Sequence, residues 1–182
     1  LLPNYSDIIL FDPDEDMKVF EEKENTWHLL ANDSALGATL EAIQGTMPVR
    51  NEVVSVCYGK DKFVALSGYH SDSNIFVYST DGITWTQGAL PSTQIWLSIC
   101  YGKDKFVAVA NNTDSNIFVY SSDGITWTQG NLPISESWSG VCYGKDKFVA
   151  VGAYSRLFVY SSDGITWIEG TLPINLMWSS VC

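Results

Sequence analysis

The chain has 182 residues, of which 46% are hydrophobic and 13% aromatic. That is enough for one ordinary domain with a core, and too apolar for disorder. The formal net charge is −11, with eleven acids against three bases in residues 1–56 and ten against seven in residues 57–182. No basic stripe is available to meet phosphates, which argues against nucleic acid and against an anionic membrane surface. No apolar run approaches the roughly 20 residues of a membrane helix, so membrane insertion is not expected either. The negative charge reads chiefly as a contribution to solubility. The opening residues show no secretory n-region or h-region, and a first residue of Leu rather than Met leaves localisation open.

In chain order, "IILF" (Ile8–Phe11), "MKVF" (Met17–Phe20) and "TWHLL" (Thr26–Leu30) read as three short strands. Between the first two stands "DPDED", in which Asp12, Asp14 and Asp16 concentrate carboxylates in one turn. Such a turn could attract calcium, but Met17 and Lys23 occupy the places where an EF-hand loop needs Gly and Glu. It is read as a solvated acidic turn, and no cofactor is expected. After Leu30, the Ala/Leu spacing of "ANDSALGATLEAIQG" predicts a short helix starting at Asp33–Ser34.

From Cys57 onward the chain repeats itself. "CYGKDKFVA" begins at Cys57, Cys100 and Cys142, and Cys182 opens a fourth copy, at spacings of 43, 42 and 40 residues. These periods belong to propeller blades or solenoid units. The distance from Asp81, Asp123 or Asp163 to the next Cys is always 19 residues, so all length variation lies between "KFVA" and "FVYS". Within one copy, Ile95–Tyr101, Phe106–Ala110, Asn116–Ser121 and Ile125–Gln129 read as four strands. They are rich in Val, Ile, Phe, Tyr and Trp, and are bounded by Gly, Asp and Asn. The second and third carry consecutive apolar residues, as a sheet covered on both faces requires. The fold class is therefore all-β: a β-propeller of four-stranded blades.

The N-terminal strands resemble a worn copy of the same unit, with Trp27 aligned on Trp85 and Phe20 on Tyr78. Residues 1–52 are read as a degenerate first blade with a helical insertion. Residues 53–182 are read as three blades and the first strand of a fourth, the whole forming one domain. Two closures remain open. "LMWSSVC" (Leu176–Cys182) could pair with the N-terminal strands and seal a four-bladed ring, or the chain could be part of a larger propeller.

The phrase "VYSSDGITWTQG" and its near-copies contain Ser79, Asp81, Gly82, Thr84 and Trp85; Ser121, Asp123, Gly124, Thr126 and Trp127; and Ser161, Asp163, Gly164, Thr166 and Trp167. These residues resemble the Asp-box, or BNR repeat, of sialidase-like propellers, shortened by one residue between Asp and Gly. The short form looks like repeats of bacterial and phage-tail propeller proteins. The resemblance implies an outer turn, away from any catalytic pocket. Physically, an Asp at the head of a turn accepts backbone N–H groups, Gly permits positive φ, and Trp packs between blades.

An enzyme is harder to read. Sialidase-like chemistry, as the resemblance implies it, needs three arginines, and the chain has only Arg50 and Arg156. Its two histidines, His28 and His70, stand beside no nucleophile motif. The cysteines recur in successive first strands. Neighbouring blades stand roughly 10 Å apart, too far for disulfides, so they read as buried thiols rather than a zinc site. Free thiols argue against a disulfide-stabilised secreted domain, leaving a virion or cell surface and the cytoplasm as settings.

Function is expected on the face whose loops differ between copies. Candidate binding residues there are Tyr69, His70 and Asp72; Asn112 and Asp114; Tyr154 and Arg156; and Gln94, Glu136 and Asn175. Rings, amides and one cation suit a glycan or a protein surface. Trp96, Trp138 and Trp178 are read as packing rather than sugar platforms. The sequence thus predicts a non-catalytic module recognising a glycan or protein, plausibly within an oligomeric phage-tail or cell-surface assembly. The alternatives are a fragment of a sialidase-like glycoside hydrolase and an intracellular assembly scaffold.

Overall fold

A computed structural model of the chain describes residues 8–10, 18–23, 26–29, 47–48, 53–68, 72–112, 115–153, 155–174 and 181. The chain divides into two compact units, Leu1–Gly45 and Thr46–Cys182. In the first, β1 (Ile8–Leu10), β2 (Lys18–Lys23) and β3 (Thr26–Leu29) form an antiparallel sheet in that order. The second strand runs further than its sequence suggests, because its pairing with β3 extends to Lys23 opposite Thr26. Trp27 consequently sits inside β3 opposite Glu22, whereas Trp85 stands just before its strand, so the alignment of these two tryptophans does not carry over to the register. The helix expected after Asp33 lies outside the described residues. So do the acidic turn and, save for Val181, the closing strand.

The second unit contains three four-stranded meanders, the blades of a propeller. The first blade is β4 (Val53–Gly59), β5 (Lys62–Ser67), β6 (Ser73–Ser79) and β7 (Thr86–Gln94). The second is β8 (Trp96–Gly102), β9 (Lys105–Ala110), β10 (Ile117–Ser121) and β11 (Thr128–Asn131). The third is β12 (Trp138–Gly144), β13 (Lys147–Gly152), β14 (Leu157–Ser161) and β15 (Ile168–Thr171). The first two strands of each blade are joined by a two-residue Lys-Asp turn with both residues at positive φ, between 44° and 60°. This mirror-image turn follows the right-handed twist of the flanking strands. A bulge interrupts each inner strand at the same place: after Val53, Trp96 and Trp138.

The fourth strands start later than the sequence suggests. Ile125 and Thr126 give their N–H groups to the Asp123 carboxylate instead of to a ladder, and pairing begins only at Thr128. The first blade's outer strand is longer, reaching Gln94 through Pro91. At a sheet edge, the missing N–H of proline removes no ladder bond.

The core lies between blades. Val64, Leu66, Phe76 and Leu90 of the first blade meet Trp96, Ile99, Phe106, Ala108 and Trp127 of the second. Val107, Val109, Phe118 and Leu132 of the second meet Trp138, Val141, Phe148, Ala150 and Trp167 of the third, position for position the same contact. Each large side chain buried there contributes roughly 1.5–3 kcal/mol. Near the inner strands, the Ser55 hydroxyl accepts the N–H of Ile99 at 3.2 Å, and the Ser98 hydroxyl accepts that of Val141 at 3.1 Å. Cys57 and Cys100 occupy the same strands. Burial pushes the Cys57 thiol up to about 12; burial, and then the neighbouring Cys57 and Cys142, push Cys100 up as well.

Candidate functional site

The most repeated residues build turns and leave little chemistry free. In each blade the turn serine donates its hydroxyl to the aspartate two residues on, at 2.8, 2.9 and 2.8 Å for Ser79, Ser121 and Ser161. The same oxygen accepts the N–H of the following glycine, at 2.9, 2.8 and 2.8 Å. Oδ1 of the aspartate then accepts the next two N–H groups: Ile83 and Thr84, Ile125 and Thr126, or Ile165 and Thr166, all at 2.7–2.8 Å. Gly82, Gly124 and Gly164 hold φ near +74° as expected, at +75°, +73° and +74°. The backbone bonds of Ile83 and Thr84, with the Ser79 hydroxyl, lower the Asp81 carboxyl to about 2. At Asp123 and Asp163 desolvation pulls upward, but the equivalent hydrogen bonds outweigh it and both also lie at about 2. A carboxylate held ionised by its own backbone is a fixed structural acceptor and a poor proton carrier.

At the opposite ends of the strands lies a shallow, open cleft of about 630 Å³, lined by Gln94, Ile95, Asn111, Asn112, Ser115, Asn116 and Ile117. It lies where the outer strand of blade one passes to blade two and the loop between β9 and β10 folds beside it. Main-chain bonds fix that meeting: Asn111 N–H donates to Ile95 O at 2.8 Å, and Ile95 N–H donates to Asn112 Oδ1 at 2.9 Å. The Asn112 amide donates onward to Asp72 at 3.2 Å, so this aspartate is tied into the wall. Asn111 Nδ2 reaches Trp138 O at 3.4 Å, and Asn116 Nδ2 reaches Leu132 O at 3.2 Å. Three of the wall amides are thus held by their neighbours. Gln94 is half-buried and pairs with Ser73 at the end of β7, and its side-chain amide has no hydrogen-bond partner among the described residues.

Of the sequence-predicted binding residues, Gln94 and Asn112 line this cleft and Asp72 supports it. Glu136 and Arg156 belong to the third blade. Glu136 accepts the N–H of Ser137 at 3.1 Å and lies over Gly152, while the exposed Arg156 donates from Nε to Leu172 O at 3.0 Å. Tyr69, His70, Asp114, Tyr154 and Asn175 lie outside the described residues, as do Asp12, Asp14 and Asp16. Sequence reasoning did not single out Ile95, Asn111, Ser115, Asn116 and Ile117. Their one available signal was membership of the same two divergent loops or, for Ile117, a place beside one at the start of β10. Trp96 and Trp138 are fully buried, so their rings are core packing and offer no sugar platform. No group of three or more metal-ligating side chains occurs among the described residues.

Three stacked four-stranded meanders with this repeat define a β-propeller domain. The family model described as the DUF6242 beta propeller domain matches residues 6–139, and the chain belongs to that family. Among solved structures, virginiamycin B lyase from Staphylococcus aureus is similar at 15% identity and a TM-score of 0.62, over 91% of this chain and 55% of that one. A streptogramin B lyase structure is similar at 14% identity and 0.61, over 91% and 54%. YCF48 bound to D1 peptide follows at 13% identity and 0.53, over 70% and 46%. At these identities the likeness concerns the fold, and the chain spans about half the length of each. No curated protein sequence matches it.

Proposed function

We propose that the domain is a non-catalytic recognition module that holds a neutral glycan or a protein segment in the cleft beside Gln94. One observation carries the reading: a cavity walled by amides and a hydroxyl lies on the face whose loops differ between blades. Amides offer paired donors and acceptors, which suit sugar hydroxyls or an extended main chain. No charged side chain is among the described residues that line the cleft, which favours a ligand whose contacting part is uncharged. The peptide held by the similar YCF48 propeller is in keeping with a protein segment. The serine–aspartate–glycine turn, read as a short Asp-box, favours a phage-tail or cell-surface assembly as the setting.

The test is a glycan array beside a pull-down, each run with wild type, Gln94→Ala and the turn-face variant Ile125→Asp. Gln94→Ala should lose the captured ligand at an unchanged melting temperature, and Ile125→Asp should retain it. Capture lost with Ile125→Asp but kept with Gln94→Ala would move the site to the turn face and end this reading.

A further inference from the structure

The amides of the cleft are oriented by what holds them. Asn111 Nδ2 faces Trp138 O, and Asn116 Nδ2 faces Leu132 O. A carbonyl only accepts, so in each amide the nitrogen is the atom committed to the wall. Oδ1 of Asn111 and of Asn116 is the atom left over, without a partner among the described residues. The main-chain N–H groups of Ile95, Asn111, Ser115 and Ile117 are meanwhile all spent on acceptors within the protein. What the cleft offers a ligand is therefore chiefly amide oxygen, with the untied Gln94 amide beside it.

The third blade shows that these amides are not needed to build the loop. It repeats the main-chain frame: Ala153 N–H donates to Ser137 O and Leu172 N–H to Arg156 O, both at 2.7 Å. Blade two has Asn111 on Ile95 at 2.8 Å and Leu132 on Asn116 at 2.7 Å in the same places. The serine is shared too, since Ser155 Oγ accepts Leu157 N–H at 2.8 Å as Ser115 Oγ accepts that of Ile117 at 3.2 Å. Yet Glu136, Ala153 and Arg156 stand where Gln94, Asn111 and Asn116 stand in the cleft. The three amides are additions to a frame that holds without them.

Taking the cleft as the ligand site, as proposed above, we propose that its occupant is a neutral sugar that donates hydroxyl protons to Oδ1 of Asn111, Oδ1 of Asn116 and Oε1 of Gln94. A sugar ring carries several hydroxyl donors close together, which matches a cluster of acceptors. An extended peptide instead brings a carbonyl with every residue and relies on main-chain donors to receive them, and here those donors are spent. Ile95 and Ile117 supply aliphatic surface for the C–H face of the ring. The open mouth leaves room for the rest of a glycan.

An array of neutral glycans, probed with wild type, Asn111→Ala, Gln94→Lys and Gln94→Glu, tests this. Wild type should bind members of the array. Asn111→Ala installs the residue that blade three carries at this place, and should weaken that binding about tenfold, the worth of one hydrogen bond, at an unchanged melting temperature. Gln94→Lys, which only donates, should weaken it similarly, whereas Gln94→Glu, which only accepts, should stay within a few-fold of wild type. The Gln94 side chain has no tie to the wall, so this second pair reads the site even if Asn111→Ala melts early. A blank array would overturn the proposal, and so would undiminished binding by Gln94→Lys or by a stably folded Asn111→Ala. A peptide captured from a random library and lost with Gln94→Ala would overturn the sugar alone and leave the cleft as the ligand site. A glycan lost only with Ile125→Asp would overturn both.

Discussion

Trp127 stands edge-on to Phe76 of the neighbouring blade, with centroids 5.6 Å apart and planes at 67°, while its other side meets Phe106 of its own blade at 6.4 Å. The tryptophan of the most repeated phrase is thus the bolt between two sheets. Trp127→Ala should lower unfolding free energy by about 3–5 kcal/mol in a denaturant titration. Trp85→Ala should lower it by clearly less, because Trp85 is half-buried and its described ring contact is with Phe63 of its own blade. Equal losses would mean that these rings do not hold the blades together.

Gly102 of blade two packs against the Tyr143 ring of blade three, and a methyl group there would overlap that ring. Gly102→Ala should therefore cost about 1–3 kcal/mol, as overpacking a well-filled core does. The measurement is again a denaturant titration, and a silent substitution would mean that the tyrosine moves aside freely.

Acid should loosen the turns. Asp81, Asp123 and Asp163 titrate at about 2 in the folded chain against an ordinary 3.8. With the folded pKa depressed, their stabilisation is present above about pH 4 and is lost as pH falls through 4 toward 2. Thermal melts across that window should show a falling melting temperature. The triple Asn variant should show a shallower fall, since its amides retain an acceptor that does not titrate. Parallel curves would remove the carboxylates as the cause.

The repeat was legible because a blade needs the same residues wherever it meets the next, and 19 constant residues from each aspartate to the next cysteine preserve that geometry. The start of each fourth strand was not legible. "ITWTQ" has every mark of a strand, yet a carboxylate two residues upstream captures the first N–H groups. In the cleft, Gln94 and Asn112 could be picked from loop divergence alone. Asn111 and Ile95 could not, because their place follows from a main-chain bond between residues 16 apart that carries the β8–β9 pairing one step past the strands' ends. Trp27 misled for the opposite reason. Identity of residue suggested equivalence, but Trp27 pairs with Glu22 inside its strand.

The near-identity of β6, β10 and β14 has a further consequence, for how the chain reaches its fold. "IFVYS" or a close variant occurs in all three, so any of them offers β5, β9 or β13 almost the same ladder and the same apolar faces. Side-chain chemistry hardly discriminates a right partner from a wrong one. What discriminates is tether length: four to six residues separate the correct partners and 25 separate the nearest wrong ones, and closing the longer loop carries the larger entropic penalty. The variable loops on the cleft face therefore act also as the proofreading element of assembly. Lengthening one of them would erode the margin against strand exchange between blades before it disturbed any contact in the finished structure.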